Sequence, residues 1–132
     1  MNFTSQICTT EEQSKRLLAL GLKAETADMR YILFEGDLEP CIRAMPWNSI
    51  CIPCQNNFPA WSLHRLIEMM PNEIFYEDST LILGVFGDGV YYADNEYGEV
   101  FKSFDGNLYN CIIKCIDWLI KEGYFNKEYL VE

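Results

Sequence analysis

An α+β fold in two layers, an antiparallel sheet with helices on one face, is what this 132-residue sequence predicts. Three observations carry that reading. Between residues 73 and 104, four runs rich in aromatic and β-branched residues follow one another, separated only by turn residues. Residues 108–120 repeat apolar side chains at helical spacing for more than three turns, and residues 63–70 do so over two. An antiparallel sheet buries one face and a helix one stripe, so the two main helices are expected on one face of a meander of about four strands. The length suits one domain, and no linker, repeat or low-complexity tract divides residues 1–132.

The first helix is marked at both ends. Thr9-Thr10-Glu11-Glu12-Gln13 offers a capping box, Thr9 with Glu12 or Thr10 with Gln13, and the acids favour the positive end of the helix dipole. Gly21 is placed to end the helix in the left-handed conformation, so its span is about 11–20. From 22 to 60 the pattern weakens. Residues 31–34 read as a strand before the turn at Glu35-Gly36-Asp37, and 41–45 and 49–52 as further short strands. Pro40, Pro46, Pro53 and Pro59 confine such strands to sheet edges.

Ser62 can cap the second helix, where Leu63, Leu66, Ile67 and Met70 share one face and Pro71 ends it. Strands are expected at 73–77, 80–86, 90–94 and 99–104, with turns at 87–89 and 95–98. Connections this short pair neighbours antiparallel. Asn107 caps the last helix, whose apolar face carries Leu108, Cys111, Ile112, Cys115, Ile116, Leu119 and Ile120, and Gly123 ends it.

Charge excludes whole classes of function. Ten Lys and Arg stand against twenty Asp and Glu, a net charge of −10. Phosphate affinity comes from cations that displace counterions, so nucleic-acid binding is not expected, and an anionic membrane surface is disfavoured likewise. A basic protein suits the field; solubility alone is the other use of such a charge. The N-terminal residues lack a basic stretch followed by an apolar one, and no run reaches the ~18 apolar residues of a membrane span, so a cytoplasmic setting is expected.

Six cysteines, Cys8, Cys41, Cys51, Cys54, Cys111 and Cys115, are read first as buried thiols in a reducing compartment. Cys51-Ile52-Pro53-Cys54 has the form of a redox CxxC motif. Redox CxxC sites open a long helix whose dipole lowers the thiol pKa, whereas Gln55-Asn56-Asn57-Phe58-Pro59 reads as a loop. A zinc site could combine Cys51 and Cys54 with Cys111 and Cys115, although the last two lie on the apolar stripe of a helix and lack the two-residue gap.

His64, the only histidine, is placed beside the apolar stripe of its helix with Glu68 one turn on; pairing with Cys51 or Cys54 would need an orienting third group. Gly84-Val85-Phe86-Gly87-Asp88-Gly89 precedes a strand rather than a helix, so it serves a hairpin and holds no phosphate. No acid pair is singled out for catalysis, and no cofactor is expected. Trp47, Trp61, Tyr91 and Tyr97 are candidates for a partner-binding surface, the other reading being that they cover the sheet.

Three segments, residues 9–29 (TTEEQSKRLLALGLKAETADM), 59–71 (PAWSLHRLIEMMP) and 107–130 (NLYNCIIKCIDWLIKEGYFNKEYL), resemble small uncharacterised proteins of Bacteroides-type gut bacteria, often encoded near prophage or other mobile-element genes. The resemblance covers nearly half the chain and transfers no catalytic residue. It implies a bacterial cytoplasmic setting and a mobile-element role. Two functions remain in view. One is a non-enzymatic, acidic binding or accessory protein, such as an immunity protein or antagonist of a basic partner. The other is a small thiol-redox or zinc-stabilised module built on Cys51 and Cys54.

Overall fold

Thr10 opens the first helix, α1 (Glu11–Ala19), with a complete capping box: its hydroxyl accepts from the Gln13 backbone N–H (3.1 Å) and the Gln13 side chain accepts from the Thr10 N–H (3.0 Å). Gly21 follows the C-cap Leu20 at φ +106°, a conformation that a side chain resists. The computed structural model describes residues 6–32, 41–44, 57–94 and 98–132, with Cys41–Ala44 described as backbone only. The chain divides into two compact units, Met1–Leu66 with Glu128–Glu132, and Ile67–Lys127.

The first unit holds α1 and a three-stranded antiparallel sheet. Strand β1 (Met29–Ile32) lies between β2 (Cys41–Ala44) and β3 (Asn57–Ala60). Pro59 falls inside β3, opposite Arg30; an edge strand tolerates it because its outer side needs no ladder hydrogen bond. Tyr31 stacks on its cross-strand partner Phe58 at 4.6 Å between centroids, and α1 packs on β3. Leu130 returns to pair antiparallel with Leu22, and the Val131 N–H donates to the Gly21 carbonyl (2.7 Å).

A buried polar network binds this unit around Trp61, which is wholly shielded from solvent. Trp61 and Thr9 exchange backbone and side-chain hydrogen bonds: the Thr9 N–H donates to the Trp61 carbonyl (2.8 Å), and the Trp61 N–H donates to the Thr9 hydroxyl (3.0 Å). The indole N–H donates to the Thr26 hydroxyl (3.0 Å). Ser62 caps α2 (Leu63–Met69) by accepting from the Arg65 N–H (3.2 Å), while the Asp28 carboxylate accepts from the Ser62 N–H (2.8 Å) and hydroxyl. Each of the donors named in this network has a partner, as burial away from water demands.

The second unit is a meander in the order β4 (Glu73–Tyr76), β5 (Ser79–Phe86), β6 (Gly89–Asp94), β7 (Gly98–Ser103), every pair antiparallel. Helix α3 (Leu108–Glu122) packs on β6 and β7. Asn107 caps it by accepting from the Asn110 N–H (3.1 Å), and Gly123 ends it at φ +80°. Its buried side includes Cys111, Ile112, Cys115, Ile116 and Leu119. The sheet buries Ile74, Leu81, Val90 and Tyr92, and the Trp118 ring of α3 meets those of Phe101 (5.2 Å) and Tyr92 (5.8 Å).

The α+β class and the four-stranded meander match the sequence expectation, and the three helices fall where their periodicity and caps place them. Two details differ. The strand expected at 31–34 begins two residues earlier, at Met29, with positions 33–34 outside the described residues, and the stretch read as a loop at 55–59 contributes Asn57–Phe58–Pro59 to β3. Pairing with β1 decides the second, since a ladder partner outweighs weak local preference at Asn and Pro. The strand expected at 49–52 lies outside the described residues.

Candidate functional site

Strand alternation sends successive side chains of β4–β7 to opposite faces, and α3 covers only one of them. The opposite face carries Phe75, Ile82, Phe86 and Tyr91, with Phe104 just beyond β7. Phe75 is 82% exposed, Phe86 53%, Ile82 51% and Phe104 43%. Scattered apolar residues are ordinary on a protein surface, but five on one sheet face form a patch of the kind that marks an interaction site.

Two glycines flatten this face. Gly84 pairs with Tyr91 across β5 and β6, and the Tyr91 ring fills the space where a Cβ at Gly84 would stand. The Phe104 ring fills the same space over Gly89, which the Ser103 carbonyl also crowds. Phe86 stacks against Tyr91 at 5.7 Å and meets Phe104 at 6.1 Å. The three rings are thus braced against one another and the sheet. Beside them a shallow depression of about 310 Å³ is lined by Thr80, Ile82, Tyr91, Ala93 and Asp94, the last accepting a hydrogen bond from the Ser79 hydroxyl.

Charge is concentrated in the same segment. Residues 73–105 contain eight Asp and Glu against a single base, Lys102, a net −7 of the chain's −10. Lys102 itself is neutralised by Glu99 at 3.2 Å. Glu73 stands opposite Ile82 in the ladder, so a carboxylate borders the apolar patch at its β4 edge.

The thiols that the sequence offers for chemistry are engaged in packing where they are described. Cys115 is wholly buried in α3, and burial pushes its thiol up to about 12, far from a nucleophile's range. Cys111, also buried, donates its S–H to Asp105 Oδ1 (3.0 Å) and accepts from the Asp105 N–H (3.4 Å). That hydrogen bond, with the Lys114 ammonium at 2.5 Å, holds the Asp105 carboxyl down to about 2. Cys51 and Cys54 lie outside the described residues, and among the described residues no three metal-ligating side chains converge. Cys8 is buried, and its S–H donates to the Tyr31 hydroxyl (3.5 Å). His64 lies exposed on α2.

Of the aromatic residues proposed as a partner surface, Tyr91 lies on the exposed sheet face. Trp61 does not serve there: it is fully buried, and its indole N–H is satisfied inside the first unit by Thr26. Trp47 and Tyr97 lie outside the described residues. Phe75, Ile82, Phe86 and Phe104 were missed. Their signal was present in the runs Leu81-Ile82-Leu83 and Val85-Phe86, apolar on both faces of a strand whose helix layer could cover only one.

No helix among the described residues is long and apolar enough to cross a membrane. No protein-family model, curated protein or solved structure matches this chain.

Proposed function

We propose that the protein is a non-enzymatic, acidic binding protein that acts in the bacterial cytoplasm on a basic protein, as an accessory of a mobile element of the immunity or antagonist kind. The observation that carries this reading is the concentration of charge: −7 within residues 73–105, where the one cation is already paired. Like charge so concentrated repels the segment from itself and from other acidic proteins, while it accelerates encounter with a basic one. The described cysteines support a binding role, since Cys111 and Cys115 hold α3 in place.

The test is reconstitution. Proteins retained by the immobilised chain from its host at about 50 mM salt, where charges act across roughly 14 Å, are identified, purified and titrated back by calorimetry. The expected partner is basic, binds directly, and loses affinity steeply by about 0.5 M salt. A partner that is acidic, or whose affinity ignores salt, would overturn the proposal.

A further inference from the structure

We infer that the uncovered face of β4–β7 is the docking surface, and that its occupant is a segment of another protein with apolar side chains at its centre and Lys or Arg beside them. The inference rests on the acidic-binding reading and adds to it the place and the chemistry of contact. Four features argue for it.

Phe75, Ile82, Phe86 and Phe104 leave between 43% and 82% of their surface in water on one sheet face, an unfavourable exposure that a partner would relieve. The Phe86, Tyr91 and Phe104 rings are already fixed by one another and by the two glycines, so little side-chain freedom is lost when a partner lands on them. Carboxylates sit within a strand or two of the apolar anchors: Glu73 opposite Ile82, and Asp94 in the same depression as Ile82 and Tyr91. With strands about 4.8 Å apart, a cation next to an apolar residue on the partner reaches a carboxylate while its neighbour covers Ile82. Finally, Lys102, the single base of residues 73–105, lies on this face beside Tyr91 and is held by Glu99 at 3.2 Å, so the segment's own cation is already engaged.

The same charge argues against a second copy as occupant. Face-to-face pairing would set two segments of −7 against each other with no uncompensated cation between them.

The experiment titrates the full chain with three synthetic peptides of equal length: an amphipathic leucine–lysine helix, its leucine–glutamate counterpart, and a serine–lysine peptide. Calorimetry gives affinity, and size exclusion gives the oligomeric state. Phe75→Ser and Phe86→Ser are compared with wild type, with circular dichroism and melting temperature showing that each variant is folded. The expected result is binding of the leucine–lysine peptide alone, weakened about tenfold or more by each substitution. Tight binding of the serine–lysine peptide, or leucine–lysine binding that both substitutions leave intact, would remove the face and leave the acidic reading standing. Failure of every basic peptide to bind removes both. Binding of the leucine–glutamate peptide, or a wild-type dimer that Phe75→Ser dissociates, overturns the stated occupant.

Discussion

The Tyr91 ring lies over Gly84, its cross-strand partner, in the space that a side chain at position 84 would take. The glycine is therefore part of how the tyrosine is held. Glycine ordinarily weakens a strand, so its presence at the middle of β5 needs a packing reason, and the ring supplies one. Gly84→Ala is expected to cost about 1–3 kcal/mol, the range for overpacking, because the ring must swing away and leave Phe86. In a Tyr91→Ala background the same change should be neutral or stabilising. Urea unfolding of the four proteins of this cycle measures the coupling; simple additivity would show that the ring and the glycine are independent.

Glu77, in the turn between β4 and β5, has φ +52°. A side chain in the left-handed region crowds its own backbone, which glycine avoids. Glu77→Gly is expected to stabilise the protein by about 0.5 kcal/mol, the relief of strain exceeding the added freedom of the unfolded chain. Thermal and urea unfolding provide the check, and a destabilised variant would show that the carboxylate contributes something the backbone angle does not reveal.

Thr9 presents one hydroxyl to two buried partners, the Trp61 N–H at 3.0 Å and the Ser14 hydroxyl at 2.7 Å. Thr9→Val keeps the shape and removes both bonds, leaving a shielded backbone donor unpaired. The expected cost is about 1–3 kcal/mol, and Thr9→Ser should retain most of the stability. Unfolding curves test this directly. Equal stability of the valine and serine variants would contradict the network.

Asp105 governs an acid-side effect whose sign is fixed. Its folded pKa is lowered from 3.8 to about 2, first by the Cys111 thiol and then by Lys114. A lowered carboxyl pKa contributes stability above its unfolded value, and that contribution disappears as pH falls from about 4 through about 2. Lys114→Gln is expected to raise the Asp105 midpoint toward the ordinary range, read from the carboxyl carbon shift during an NMR titration. An unchanged midpoint would mean that the ammonium, although close, has no hold on the proton.

The parts of the fold legible in the sequence are those where local signals agree with tertiary need. Thr10 with Gln13, Asn107 and Gly123 announced helix ends because capping is a contact between residues three or four apart. Strands β5 to β7 alternated with short turns, and their pairing followed. Strand β3 was hidden because Asn57 and Pro59 are poor strand residues, made extended by a partner nearly thirty positions earlier in the chain. Trp61 misled for a related reason: a large aromatic residue suits a surface or a core equally well, and only Thr26, brought near by folding, decides which. The exposed face was visible only as a surplus, more apolar strand positions than the helices could cover.

The bridge between Leu22 and Leu130 has a consequence for how the chain is made. Residues 67–127 form a contiguous unit, whereas the other unit is assembled from two separated stretches. On a ribosome residues 67–127 are made between Leu22 and its bridge partner Leu130, so Leu22 waits for that whole stretch to be translated. The Leu22–Leu130 bridge, and the Val131 hydrogen bond to Gly21 beside it, therefore close only after residues 67–127 have been synthesised.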